Sequence, residues 1–350
     1  MPTIPPKTAA SMTPAKGRAS GKITLADVAA RAGVASMTAS RAINQPDMVS
    51  ASLRQRVEEA VSELGYVPNR AARALASAHS NVIVVLVPSL SNAVFTDVLE
   101  GIQDVLDADN YQILIGNTRY SDAEEEKLLN IYMQSNPDGI LLSGLSHSPR
   151  VEQLLASSQV PVVSMMDLAD KADQLSVGFS QFEAAYTMTR YLLDKGRRHI
   201  AFMGAQLDER TLKRAEGYRK AMQEAGCYEA RLEVMVTDPS TIALGAELLG
   251  RILAAASDCD AIFCCNDDLA HGAIYQCQRR GIAVPEHVAI CGFNDLPASA
   301  WMKPSVTTIS TPRYRIGYEA ASLLRAIIHK EFITRSKIDL GFTLMARESA

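Results

Sequence analysis

A chain of 350 residues has room for two or three domains of ordinary size, and a composition of 47% hydrophobic and 21% charged residues is that of a globular protein, not a disordered one. The longest purely apolar run, Val82 to Val87, is far short of the ~18 residues that a membrane span needs. The N-terminus lacks the apolar stretch of a secretory leader, so neither a membrane protein nor an exported one is expected. The net charge of −4 divides unevenly, because residues 1–80 carry ten Lys and Arg against five acids while the remainder is net −9. A small basic module ahead of a large acidic body hints at nucleic acid.

Residues 1–21 contain Pro2, Pro5, Pro6 and Pro14 and no acid, a composition that buries too little apolar surface to order itself. A disordered arm is expected there. Thr24 then caps a helix in which Asp27 can reciprocate three residues on, with Leu25, Val28, Ala29 and Ala32 as its apolar face. Gly33 and Val34 make a turn, and a second helix begins near Ser36. Alanines at 29 and 39 let the two helices cross closely, which describes a helix-turn-helix. The second helix exposes Ser36, Met37, Ser40, Arg41 and Asn44, a polar face with one long cation and no acid. A major groove accepts such a face.

Beyond Asn81 the pattern changes to short apolar runs at 82–87, 113–115, 139–142, 160–163, 200–203, 233–236, 261–265 and 288–291, separated by amphipathic helical stretches. Alternation of this kind predicts parallel sheets covered by helices on both faces, and the number of units suggests two sheets. A ligand belongs outside the carboxyl ends of their strands.

Motifs of catalysis fail in this stretch. Gly144-Leu145-Ser146-His147-Ser148 lacks the last glycine of a nucleophile elbow. Gly245 and Gly250 have phosphate-loop spacing, but Arg251 and Ile252 follow where Lys and Ser/Thr are required. Asp267 and Asp268 are adjacent, so on a helix they diverge by about 100° and cannot act as a pair. The six cysteines, at 227, 259, 264, 265, 277 and 291, show no C-x-x-C spacing and read as buried thiols. No catalytic residue, metal ligand or cofactor is expected.

The run Ile23-Thr24-Leu25-Ala26-Asp27-Val28-Ala29, then Ala32-Gly33-Val34, Thr38, Ser40-Arg41, Asn44, Val49-Ser50 and Leu64-Gly65-Tyr66-Val67-Pro68-Asn69, resembles the DNA-binding headpiece of the lactose-repressor (LacI/GalR) family. The likeness continues to about residue 350. Val177-Gly178-Phe179, the stretch from Gly204 to Thr211, Cys265 to Ala270 and Gly292 to Asp295 are most similar to the branch of the family that governs gluconate utilisation.

The resemblance implies an all-α headpiece (22–68), a hinge helix and linker (69–80) and an α/β core of the periplasmic-binding-protein kind (81–350). Two doubly wound parallel-sheet lobes make up that core, about 81–179 with 311–335 and 180–310 with 336–350, with crossings near 179, 310 and 335. A third headpiece helix is implied from Ser50 to Leu64. Operator DNA, an inverted repeat, would be met by Thr24, Ser36, Met37, Thr38, Ser40, Arg41, Asn44, Ser50, Tyr66, Asn69, Arg70 and Leu75. Leu75 matches the leucine that the family wedges into the minor groove.

A small sugar acid such as gluconate would lie between the lobes, beside Phe95, Asp167, Arg210, Arg214, Asn266 and Asn294. Arg214 matches the main effector-contacting arginine, and Asp295 is the stand-in where Asn294 replaces the usual aspartate. The implied function is an allosteric repressor, a cytoplasmic homodimer and not an enzyme. A response to 2-ketogluconate, a neutral sugar or a phosphoprotein partner stays open, and a solute-binding receptor is disfavoured by the headpiece.

Overall fold

The computed structural model describes residues 23–67, 79–171 and 173–350, in two units that divide near residue 76. In the first unit α1 (Leu25–Ala32), α2 (Ser36–Asn44) and α3 (Ala51–Leu64) close on a small core of Val28, Ala29, Ala32, Ala39, Ala42, Val57 and Ala60. Five of these seven are alanines, so the helix axes approach closely and little apolar area is buried. Capping then matters in proportion. Thr24 and Asp27 form a reciprocal box at the start of α1, Thr24 N donating to Asp27 Oδ2 at 2.9 Å. At the other end Gly33 adopts φ 64°, and Arg56 of α3 donates to the Ala32 carbonyl over that turn. A side chain at 33 would be strained in φ and would also meet the Arg56 guanidinium.

The second unit alternates strand and helix in two lobes. The first lobe begins with β1 (Val82–Val87), α4 (Ala93–Leu106), β2 (Gln112–Asn117), α5 (Asp122–Tyr132), β3 (Gly139–Ser143), α6 (Pro149–Ser158), β4 (Val162–Met165) and β5 (Ser176–Gly178). The second contains α7 (Gln181–Asp194), β6 (Ile200–Gly204), α8 (Glu209–Glu224), β7 (Glu233–Met235), α9 (Ile242–Ala255), β8 (Ala261–Cys264), α10 (Asp267–Arg280), β9 (Ala289–Cys291) and α11 (Pro297–Trp301). After β10 (Thr308–Ser310) the chain returns to the first lobe for α12 (Arg313–Ile328) and β11 (Lys337–Asp339). It ends on β12 (Thr343–Met345), antiparallel to β10.

Besides the two-stranded β10-β12 sheet, the two larger sheets are parallel, in the orders β2-β1-β3-β4-β5-β11 and β7-β6-β8-β9. Each order reverses after its first strand, a doubly wound arrangement whose crevice lies at the carboxyl ends. Every residue of β1 is buried, as a strand covered on both faces requires. Ile83, Val85 and Val87 pack on the side of α4 and α12, while Val84 and Leu86 pack toward α5 and α6. Because β11 pairs with β5 through Lys337↔Ser176, Ile338↔Val177 and Asp339↔Gly178, residues 337–339 stay in the first lobe. The third crossing therefore follows Asp339, later than the expected 335.

Helix pairs in the lobes touch at backbone distance. A Cβ at Gly317 of α12 would run into the Val98 carbonyl of α4, and one at Gly101 of α4 into the Tyr314 carbonyl. Gly217 of α8 meets Phe182 of α7 in the same way, and Gly245 of α9 and Gly272 of α10 oppose each other's helix. The spacing of Gly245 and Gly250 thus belongs to helix packing, not to a phosphate loop. No helix among the described residues is long and apolar enough to cross a membrane.

Candidate functional site

A cavity of about 420 Å³ opens between the two lobes, and its lining comes from segments that follow β1, β2, β4, β6, β7, β8 and β9. Every one of those segments begins at the carboxyl end of a strand, where backbone groups leave the sheet ladder and side chains converge. Of the residues expected here, Phe95, Arg210, Arg214, Asn266 and Asn294 line the cavity.

Arg210 and Arg214 lie one turn apart at the start of α8 and share a face, but they differ in chemistry. Arg210 is paired: its Nη2 donates to Asp208 Oδ2 at 2.5 Å, its Nη1 reaches Ser143 Oγ at 3.3 Å, and its guanidinium carbon stands 5.5 Å from the Phe95 ring centroid. Burial alone would raise the Asp208 carboxyl, yet the Arg210 charge and the Thr211 amide outweigh it and hold that group below the usual carboxylate range. Asp208 also caps α8 through Thr211 N at 2.9 Å.

Arg214 has no carboxylate bonded to it. Its Nε donates to Gln181 Oε1 at 2.8 Å, its Nη1 donates to the Cys265 carbonyl at 2.5 Å, and its guanidinium carbon lies 3.8 Å from the Phe293 ring centroid. Nη2 makes no hydrogen bond among the described residues. Burial pulls the group down to about 10, so it remains a cation at neutral pH.

Asn266 caps α10 and exchanges hydrogen bonds with Ser240, its Nδ2 donating to Oγ at 2.7 Å. Asn294 sits at φ 106°, and its carbonyl accepts from Arg313, whose Nε is bound to Asp97 Oδ2 at 2.7 Å. Its side-chain amide forms no hydrogen bond among the described residues.

Two expected residues stand elsewhere. Asp295 is not part of the lining, because its carboxylate pairs with Arg347 Nη2 at 2.7 Å on the other side of a sharp reversal. Asp167 also lies outside the lining: its Oδ2 accepts from Lys213 Nζ at 2.5 Å and its Oδ1 from the Leu168 amide at 2.8 Å.

Sequence reasoning missed Tyr120, Arg119 and Asp268, all in the lining. Their position just after β2 and β8 was the available signal. Asp267 and Asp268 do diverge, for Asp267 is buried away from the cavity and accepts from Thr308 Oγ1 at 2.7 Å, Ser299 Oγ at 2.9 Å and Leu296 N at 2.6 Å. Among the described residues no cluster of His, Cys, Asp and Glu could hold a metal ion. Five of the six cysteines are buried and Cys227 is half-buried.

In the headpiece, Met37 is 67% exposed, and Ser36, Arg41 and Asn44 are exposed beside it on α2. Thr38 and Ser40 are half-buried on the same helix. Asn44 Nδ2 donates back to the Ser40 carbonyl at 3.0 Å, while Thr24 and Ser50 occupy the N-cap positions of α1 and α3. Tyr66 packs on the headpiece core. Asn69, Arg70 and Leu75 lie outside the described residues.

Among the described residues of this unit Arg31 pairs with Glu63, Arg54 with Glu58, and Arg56 binds backbone carbonyls. The Arg41 side chain makes no hydrogen bond or ion pair among the described residues.

Residues 80–346 match the family described as periplasmic binding proteins and sugar binding domain of LacI family, and residues 24–69 match bacterial regulatory proteins, lacI family. The chain belongs to the LacI family. It is a DNA-binding transcriptional regulator, and the family relatives are regulators, not enzymes. The HTH-type transcriptional regulator GntR of Pseudomonas aeruginosa is 48% identical over 332 residues, covering 95% of this chain and 97% of that one. The crystal structure of transcription regulator GntR from Chromobacterium violaceum is similar with a TM-score of 0.75 at 51% identity, over 77% of this chain and 98% of that one. A LacI family regulator from Silicibacter pomeroyi gives a TM-score of 0.87 at 33% identity, over 93% and 99% of the two chains.

The Asp267 network predicts a pH dependence. Burial raises its carboxyl from 3.8 to about 6, so the folded protein holds a proton there that the unfolded chain has already lost. Stability from this group is therefore fully present below about 3.8 and falls as pH rises through about 6. Relative to Asp267→Asn, the wild type should lose about 2 kcal/mol of unfolding free energy between about pH 4 and pH 6, read from urea titrations at each pH. A difference that stays flat or grows with pH contradicts the assignment.

Proposed function

We propose that the cleft takes a small sugar acid, gluconate first, and that its binding changes the affinity of a cytoplasmic homodimer for inverted-repeat operator DNA. The observation that carries this reading is Arg214: a cation solvated by an amide oxygen, a carbonyl and an aromatic face, with one donor nitrogen left over in a polar cavity. A carboxylate entering a closed cleft loses water and must regain charge-assisted hydrogen bonds, each contributing ~1.5 to 3 kcal/mol. Asn266, Asn294 and Asp268 offer amides and a carboxylate for hydroxyls. Relatives named GntR at 48% and 42% identity agree with the choice of gluconate. Differential affinity of the ligand for open and closed lobes is what shifts the operator equilibrium.

Large apolar side chains support the dimer. Ile242, Tyr275 and Trp301 are 45%, 42% and 89% exposed on α9, α10 and α11, of which α9 packs on α10 and α11 is bonded to α10 through Ser299 and His271, and burial of such side chains against a second copy is favourable. Trp301→Arg should convert dimer to monomer at micromolar concentration in sedimentation velocity. An unchanged sedimentation coefficient removes this face from the interface.

The exposure of Met37, Ser36 and Arg41 on α2 supports a reading in which, on DNA, Met37 contacts a thymine methyl, Ser36 reads a base edge and Arg41 meets phosphate. Met37→Ala should relax base preference at one position of each half-site and leave the salt dependence of binding between 50 and 200 mM unchanged, because phosphate contacts set that slope. Wild-type base preference at every position would exclude the reading role.

For the cleft, Arg214→Ala should abolish the gluconate response or shift it by about a hundredfold in concentration, and Arg214→Lys should restore it only in part, since an ammonium lacks the planar fork. Calorimetry showing wild-type gluconate affinity in Arg214→Ala would sink the carboxylate assignment.

A further inference from the structure

Arg214 is held from behind by a residue that neither the motifs nor the family likeness singled out. Gln181, the first residue of α7 after the first crossing, is wholly buried. Its Oε1 accepts from Arg214 Nε at 2.8 Å, and its Nε2 donates to the Met166 carbonyl of the first lobe at 2.8 Å. The amide has one workable orientation, because a flip would set NH₂ against N–H at one end and oxygen against oxygen at the other. Met166 itself lines the cavity. The cation of the second lobe is thereby tied through a single side chain to the floor contributed by the first.

We infer that Gln181 is the positioning residue that keeps Arg214 uncompensated and oriented, and so sets the preference of the cleft for an anionic ligand over a neutral one of the same shape. The inference rests on the sugar-acid reading. Every bonded partner of the Arg214 guanidinium is uncharged, in contrast to Arg210, which spends its charge on Asp208. With Nε committed to Gln181, the side-on fork of Nε and Nη2 is closed. A carboxylate is then taken by Nη2, alone or with the second proton of Nη1.

Glutamate at 181 would have the same length and would turn the contact into an internal ion pair that a ligand carboxylate must displace. Methionine there would preserve length and leave Nε without an acceptor.

Calorimetric titration of the full-length protein with D-gluconate and with its neutral amide, gluconamide, tests this. Gln181→Glu should lower gluconate affinity by about tenfold or more and gluconamide affinity by less than about threefold, so that the preference for the acid collapses. Gln181→Met should lower gluconate affinity by roughly fivefold and keep the preference. Melting temperature and circular dichroism report folding, and Gln181→Met decides alone if the glutamate variant does not fold. Wild-type gluconate affinity in both variants, or equal proportional losses for acid and amide in Gln181→Glu, overturns the positioning role while a dead Arg214→Ala leaves the sugar-acid reading standing. Arg214→Ala with wild-type gluconate affinity, or a wild type that binds neither compound, overturns that reading and this inference with it.

Discussion

A guanidinium withdrawn from water with no carboxylate bonded to it is expensive, and the cleft is organised around making one tolerable. Desolvating a charge costs several kcal/mol even after relaxation, and the protein offsets this at Arg214 with dipoles and a ring face instead of a carboxylate. Each of those groups comes from a different element: Gln181 from α7, Cys265 from the end of β8, Phe293 from the segment after β9. The doubly wound topology supplies them together because all the strands of a lobe end on the same side. A carboxylate of the protein in the same place would neutralise that guanidinium within the cleft.

Much of this was legible in the sequence. The capping pair Thr24 and Asp27, the turn at Gly33 and the small residues at 29 and 39 describe the headpiece by local rules, and those rules hold because the three-helix unit has little core to override them. The short apolar runs gave eight strands, because parallel strands covered on both faces, as β1, β3, β4, β6, β8 and β9 are, leave a strong mark, and the half-exposed edge strands β2 and β7 keep part of it.

The four strands left out, β5, β10, β11 and β12, are three residues each. They exist through their pairing partners, not through their own pattern, as Ser176-Val177-Gly178 illustrates. Failing to see β11 moved the third crossing. In the cleft, local rules could not decide which of Asn294 and Asp295 turns inward, since both take positive φ and Arg347, distant in sequence, claims the aspartate. Asp167 escaped for a similar reason, its partner Lys213 lying on the opposite lobe.

The charge of the N-terminal region is also distributed in a telling way. Residues 23–67 hold four arginines against five acids, so the basic excess of residues 1–80 comes from six cations in the flanks, Lys7, Lys16, Arg18, Lys22, Arg70 and Arg73. With Arg31, Arg54 and Arg56 engaged internally, the helices themselves contribute shape and hydrogen-bonding groups more than field.

The glycine contacts between helices have an evolutionary reading. At positions 101, 217, 245, 272 and 317 any larger side chain collides with backbone of the neighbouring helix, so drift is closed at those places. The cavity is built at and beyond the strand ends, in part from Phe95, Met166 and Ala205, which also pack in the core, and in part from Ser240, Asn266 and Asp268, which do not. Selection for a new ligand can therefore exchange such polar side chains one at a time while the frame beneath stays the same, and a single ancestral clamp can diversify into sensors of different small molecules without ever passing through an unfolded ancestor.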